Sequence, residues 1–383
     1  MFADRMKRLG TETAFEVLAR AKAMEAEGGD IVHLEIGEPD FDTPPNIVKA
    51  AVAALKGGYT HYVPSAGIPQ ARTVFAEFIS KDRGVDVGPE NIVITPGAKP
   101  ILFFSILALV DEGDEVIYPN PGFPIYESVI NFIGGKAVPI PLREEKGFSF
   151  DVDELRTLVN EKTKLIIINS PQNPTGGVLA KKDMKVVAEL ADKYDAWILS
   201  DEVYSKIVYE GKHVSIYDFP EVKERTILLE GHSKTYAMTG WRLGYGVMPV
   251  KLAELVARLQ TNSNSCTAAF TQMAGVEALT GSQAKSRKMV REFKARRDLI
   301  VNGLNAIPGF RCLKPKGSFY VFPNITGTGM KSKELEVHLL EKAGVAGLSG
   351  TSFGAYGEGY LRFSYANSQE NITKALEKIK SAL

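Results

Sequence analysis

Six short apolar runs, rich in β-branched residues, recur at residues 91–95, 115–118, 165–169, 197–200, 226–230 and 243–248. Nearly every position in them is apolar, whereas a strand with one wet face would alternate apolar and polar side chains. Segments with helical spacing lie at 14–27, 46–55, 68–81 and 181–194, several of them between the runs. Both patterns are met by an α/β domain whose parallel or mixed sheet is buried on both faces by helices. After about residue 250 the pattern changes to long charged helices, clearest at 283–304, then short strands at 318–322 and 360–365 and a closing helix. A smaller α+β domain is predicted there.

The chain has 383 residues, more than one domain usually holds, and its 46 basic side chains balance 46 acidic ones. That balance gives no bias toward nucleic acid or a membrane surface. The longest apolar run, 101–110, is too short to span a bilayer, and the opening residues lack the pattern of a signal peptide. Cys266 and Cys312 have neither disulfide-framework nor metal-ligand spacing, and no histidine pair has the spacing of a zinc motif. A cytoplasmic setting without a metal is expected.

In open α/β sheets, ligands bind beyond the carboxyl ends of the strands, so the polar residues just after each apolar run carry the functional information. After 92–95 comes Pro96-Gly97-Ala98-Lys99, a glycine turn opening a helix whose free N–H groups suit a phosphate. After 165–168 comes Asn169-Ser-Pro-Gln-Asn173-Pro-Thr-Gly-Gly177, and after 197–200 comes Asp201-Glu202-Val203-Tyr204. The run at 226–230 leads into Gly231-His-Ser233-Lys234, with Arg242 downstream. Singly, each has an ordinary account: a solvated lysine, a capping aspartate, an Asn-Pro turn. Together they bring a phosphate-compatible turn, an amide, a carboxylate with a phenol, and a lysine to one rim.

Pyridoxal 5′-phosphate chemistry calls for this set: a lysine for the aldehyde, a carboxylate for the ring nitrogen, and donors for the phosphate and the phenolic oxygen. Phe123, in Tyr118-Pro-Asn-Pro-Gly-Phe-Pro-Ile-Tyr126, is the candidate to cover the ring face.

The chain resembles the class I, fold-type I aminotransferases, close to the bacterial aspartate aminotransferase subgroup, over nearly its whole length. The resemblance rests on Ile36-Gly-Glu-Pro-Asp-Phe-Asp-Thr-Pro44, Tyr62-Val-Pro-Ser-Ala-Gly-Ile-Pro69, Ser170-Pro-Gln-Asn-Pro-Thr-Gly176, Asp201-Glu-Val-Tyr204, Ser233-Lys234 through Gly240-Trp-Arg242, and Leu361-Arg362-Phe-Ser-Tyr365. It implies Lys234 as Schiff-base lysine and proton shuttle, Asp201 at the pyridine nitrogen, and Asn173 with Tyr204 at the phenolic oxygen. It places Gly97, Ala98, Ser233 and Arg242 around the phosphate, with Tyr62 reaching it from a second subunit, so that a homodimer is expected. Arg362 would bind the substrate α-carboxylate, supported by Asn173 and the backbone at Gly37. Trp or Tyr is more usual in the family at the position of Phe123.

The implied fold has a large cofactor-binding domain at 46–274, a small domain at 275–383, and an amino-terminal arm at 1–45 that joins the small domain. The implied reaction is ping-pong transfer of an amino group from an L-amino acid to a 2-oxo acid, with 2-oxoglutarate the default acceptor. Lys99 either binds the distal carboxylate of an acidic donor, making aspartate the first choice, or sits on the helix surface. The segment Gly10-Thr-Glu-Thr-Ala-Phe15 departs from the subgroup's Pro-Ser-Ala-Thr pattern; Phe15 and Glu12 leave neutral or aromatic donors, or alanine, open. Residues 260–268 either line a partner's site or form a polar loop between helices. A carbon–sulfur lyase on the same scaffold, or the sensing domain of a regulator, are the competing readings.

Overall fold

In the computed structural model, which describes residues 2–383, eight strands build the central sheet. They are β1 (Ile92–Thr95), β2 (Glu115–Asn120), β3 (Lys136–Arg143), β4 (Ser149–Phe150), β5 (Thr163–Asn169), β6 (Trp197–Asp201), β7 (Thr226–Gly231) and β8 (Gly244–Val247). Their order is β1-β8-β7-β6-β5-β2-β3-β4. The strands from β7 to β3 run parallel, while β8 opposes both β7 and β1, and β4 opposes β3. The mostly parallel sheet expected from the apolar runs is present. Strand β3 escapes sequence reading because Pro139 and Pro141 remove ladder donors. It tolerates them because β4 pairs only with Leu142 and Arg143, leaving one edge of β3 free at the prolines.

Successive side chains point to opposite faces, so Ile94, Ile198 and Leu228 enter one core while Val93, Leu199 and Leu229 enter the other. Burying each such side chain stabilises by about 1.5–3 kcal/mol. Helices Pro45–Lys56, Pro69–Arg83 and Ala269–Thr280 pack together over the first face, and Lys99–Leu109 lies between Ile125–Ile133 and Val250–Asn264 over the second. Pro45 and Pro69 occupy first helical positions, where no N–H is needed, and Gly84 at φ 67° ends its helix in the left-handed region.

A separate core gathers helices Ala284–Asn305 and Gln369–Ala382 around the antiparallel strands Tyr320–Val321, Leu361–Ser364 and Leu348–Ser349. Strand Val32–His33 pairs in parallel with Val345–Ala346, which builds the amino-terminal segment into the carboxy-terminal part. Of residues 260–268, the first five finish helix Val250–Asn264 and only the remainder forms a connection. Gln260 is fully buried and donates to the Ile94 carbonyl at 2.8 Å, so it pins that helix to the sheet. Among the described residues no helix is long and apolar enough to cross a membrane.

A buried charge cluster ties the helix Pro69–Arg83 to the sheet. Arg83 reaches Glu202 at 2.9 Å and Glu230 at 2.5 Å, and His213 lies 2.6 Å from Glu202. Burial alone would raise Glu202, but Arg83 and His213 overcome it and hold the carboxyl at about 2. Replacing Arg83 by Met leaves two buried carboxylates facing each other, and the expected cost is about 3–5 kcal/mol. A urea denaturation midpoint unchanged in R83M would show that the guanidinium does not hold this cluster.

Candidate active site

Strand register decides which residues share a rim. Asn169 at the end of β5 lies opposite Asp201 of β6, and Gly231 of β7 lies opposite Gly244 of β8, which in turn faces Thr95 of β1. The turns beyond these strand ends open into one cavity of about 470 Å³. Of the sequence-predicted site residues, Gly37, Ala98, Lys99, Phe123, Asn173, Asp201, Tyr204, Ser233, Lys234, Arg242 and Arg362 line it, and Gly97 adjoins it through Arg242. Tyr62 lies outside the cavity of its own chain and is 89% exposed.

Asp201 is buried at the cavity floor. Its Oδ2 accepts the Tyr126 hydroxyl at 2.7 Å. Burial pushes the carboxyl up to about 6, against the pull of that phenol and of the Val203 amide. Tyr204, also buried, shares a 2.9 Å hydrogen bond with the Tyr320 hydroxyl. Asn173 is held through its amide, which donates to Asn169 Oδ1 at 3.0 Å, and its own Oδ1 accepts Arg362 Nη1 at 3.1 Å.

At the other end, Gly97 adopts φ 91° and the Thr95 hydroxyl donates to its carbonyl at 2.7 Å, closing a tight turn before helix Lys99–Leu109. Among the described residues, the Ala98 and Lys99 amides have no backbone acceptor, as expected for a helix start. A Cβ on Gly97 would lie 2.2 Å from Arg242 Nη2, and one on Gly244 would lie 2.4 Å from the Ala98 nitrogen. The cradle therefore needs glycine at both positions. Arg242 itself sits at φ 52°, a left-handed conformation costing about 1–2 kcal/mol. Its Nη1 donates to the Thr239 carbonyl at 2.8 Å.

Lys234 projects from the single turn His232–Thr235 that follows β7. Its Nζ donates to the Gly37 carbonyl at 2.6 Å. Burial, helped by the guanidinium groups of Arg242 and Arg362 and opposed by Glu38, brings the amine down from 10.5 to about 8. Gly37 thus holds the lysine through its carbonyl. Side-chain crowding explains why it is glycine, since a Cβ there would lie 1.9 Å from the Tyr320 hydroxyl oxygen.

Arg362 is buried on strand Leu361–Ser364, with its guanidinium 4.5 Å from the ring centre of Tyr320 and 4.8 Å from that of Phe353. Besides Asn173 it donates to the Glu35 carbonyl, yet its Nε has no acceptor among the described residues. A buried guanidinium with a spare N–H is suited to a carboxylate. Lys99 ion-pairs with Glu12, and its Nζ lies 5.4 Å from the centre of the Phe123 ring. Phe123 in turn meets Tyr126 edge to face at 5.8 Å.

Tyr126 and Tyr320 were not singled out in the sequence. Tyr126 stands three residues after Phe123, a spacing that puts both on one side of a helix start, and this was the available signal. For Tyr320 no local signal exists, because its contacts with Tyr204, Gly37 and Arg362 come from distant parts of the chain.

Residues 29–379 match the family described as aminotransferase class I and II. The chain belongs to that family. It is similar to an aspartate aminotransferase of Pyrococcus horikoshii, at 43% identity covering 100% of this chain and 97% of the relative. It also resembles aromatic-amino-acid aminotransferase 2 of Thermococcus litoralis, at 40% identity with 100% and 98% covered. Among solved structures, the aspartate aminotransferase of Thermus thermophilus with maleate superposes with a TM-score of 0.96 at 36% identity, each chain fully covered. The protein is therefore an enzyme, an aminotransferase with the fold expected from its sequence.

The depressed amine of this aminotransferase gives a direct check. Only the neutral form attacks a carbonyl, so borohydride trapping of Lys234 with a small aldehyde should reach half its maximal rate near pH 8 in the cofactor-free protein. A midpoint near the ordinary lysine value of 10.5 would show that the cavity does not desolvate the amine.

Proposed function

We propose that the cavity holds pyridoxal 5′-phosphate and that the chain transfers the amino group of an L-amino acid, aspartate first, to a 2-oxo acid such as 2-oxoglutarate. The observation that carries this is the depressed Lys234 amine in one cavity with the raised carboxyl of Asp201. The residues present fit the group: the turn at Gly97 and Ala98, with Ser233 and Arg242, suits a phosphate, and the buried Asp201 suits a ring nitrogen that carries a proton. Asn173 and Tyr204 would hold the phenolic oxygen, Phe123 the ring face, and Tyr62 of a second copy the phosphate. When bound, the cofactor supplies an aldehyde for the amine and an electron sink that acidifies the Cα–H of the amino acid.

The chain's own residues then have separate tasks. Arg362, braced by Asn173 and by the ring of Tyr320, fixes the α-carboxylate and so sets which bond at Cα faces Lys234. Lys234, neutral in part near physiological pH, would take the Cα proton and return it, across the transferred nitrogen, to the carbon that had carried the aldehyde, as general base and acid. Asp201 keeps its negative charge where a positive ring nitrogen would meet it, and Tyr126 holds that carboxylate in place. The donor leaves as a 2-oxo acid, and a second 2-oxo acid receives the amino group in the same cavity, which gives ping-pong kinetics.

The name of the Pyrococcus relative and the place of Lys99 at the cavity edge favour aspartate. The aromatic walls of Phe15 and Phe123, and the name of the Thermococcus relative, favour a second class of aromatic or neutral donors. The division into an arm at 1–45, a large domain at 46–274 and a small domain at 275–383 is supported by the separate cores on either side of the cavity. Closure of the small domain would carry Arg362 and Tyr320 toward the large one.

Incubation with aspartate and 2-oxoglutarate should yield glutamate and oxaloacetate. Pyruvate and ammonia formed from alternative donors without any acceptor would point instead to a lyase. Arg362→Leu should raise KM for aspartate and alanine alike, by about 10–100-fold. Lys99→Ala should raise it about fivefold for aspartate only. An equal effect of Lys99→Ala on both donors would remove that lysine from side-chain recognition.

A further inference from the structure

The cavity is lined by four cations, and three have tasks already: Arg242 beside the Gly97 turn, Arg362 at the α-carboxylate position and Lys234 as the reactive amine. Lys99 is left for the far end of the substrate. It does not stand free, because the Glu12 carboxylate is paired with it. Glu12 is carried on a short segment fixed on both sides. The Gly10 amide donates to Ser128 Oγ at 2.9 Å, Ser128 returns a bond to the Gly10 carbonyl at 3.2 Å, and helix Ala14–Ala26 begins two residues after Glu12. With the backbone held, only the Glu12 side chain has to turn for its carboxylate to leave Lys99.

We propose that Glu12 is a built-in stand-in for the second carboxylate of a dicarboxylic substrate, exchanging with it on Lys99, so that one cavity takes both dicarboxylic and apolar side chains. The proposal rests on the aminotransferase reading above, with Lys99 facing the substrate side chain. The pair is partly wet, with the Lys99 side chain 45% exposed and that of Glu12 19% exposed, so it is weakly held and its exchange for another carboxylate is near balance. With a dicarboxylic substrate, Glu12 turns outward and Lys99 binds the incoming group. With an apolar side chain, Glu12 stays on Lys99, no cation is left unpaired, and Phe15, Phe123 and Phe353 supply the contact surface. A transaminase that pairs an apolar donor with a dicarboxylic acceptor such as 2-oxoglutarate needs such a device, because its two half-reactions put chemically different side chains into the same cavity.

The test compares the holoenzyme with its Glu12→Gln variant in calorimetric titrations with succinate, a dicarboxylate, and 3-phenylpropionate, an apolar monocarboxylate. Glu12→Gln frees Lys99 and should tighten succinate about fivefold while leaving 3-phenylpropionate unchanged or weaker. Glu16→Gln, which removes an exposed charge from the helix Ala14–Ala26 that follows Glu12, should change neither. Succinate binding that is unchanged or weakened in Glu12→Gln, or an equal gain for both ligands, would overturn the proposal. Amino transfer by the unmodified enzyme, measured alongside, separates this failure from failure of the aminotransferase reading, in which no donor would react.

Discussion

The reactive end of the cavity depends on the pairing of β5, β6, β7, β8 and β1. A shift of one residue between β5 and β6 would move Asn169 off Asp201 and turn the carboxyl from the rim into the sheet, because side chains alternate with a period of two. The buried apolar faces forbid that shift: Ile198 and Leu199 would exchange cores, and so would every neighbour. Hydrophobic burial spread over the whole sheet thus fixes the positions of a few polar groups to within a hydrogen-bond length. The two glycine constraints at the rim are local consequences, since Gly244 lets β8 run against the Ala98 turn and Gly97 lets Arg242 approach it.

The same burial sets the chemistry. Taken out of water, Lys234 loses affinity for its proton and Asp201 gains it, so an amine and an acid ordinarily far apart on the pH scale both come to titrate near neutrality. Neither shift requires a special partner; desolvation is the leading cause of each. The neighbours refine them, as Tyr126 steadies the ionised form of Asp201 and the two arginines disfavour a charged Lys234. At the very next residue after Asp201, Glu202 shows the opposite outcome, because Arg83 and His213 supply enough positive charge to outweigh its burial.

Much of this was legible in the sequence, for a physical reason. Strands buried on both faces leave continuous apolar runs, and residues directly after them must reach the rim, so Asp201, Lys234 and the Gly97 turn could be read in order. What stayed hidden depended on contacts between distant segments. The hydrogen bond between Tyr204 and Tyr320, the closeness of Tyr320 to Gly37, and the pairing of Glu12 with Lys99 join residues far apart in the chain. Gln260 was read as part of a polar stretch, yet a polar side chain that satisfies the Ile94 carbonyl is as much a core residue as an apolar one. Strand β3 was masked by its prolines, whose acceptability depends on where the neighbouring strand β4 stops.

The central claim is that Lys234 and its surroundings remove an amino group from an amino acid and keep it until an acceptor arrives. The most direct test is the visible absorption spectrum of the protein loaded with pyridoxal 5′-phosphate, recorded before and after adding aspartate with no 2-oxo acid present. The account predicts a band from lysine-bound cofactor that gives way to the shorter-wavelength band of the aminated cofactor, and returns when 2-oxoglutarate is added. A protein that forms no such band on loading, or a band that persists with every amino acid offered, would contradict it.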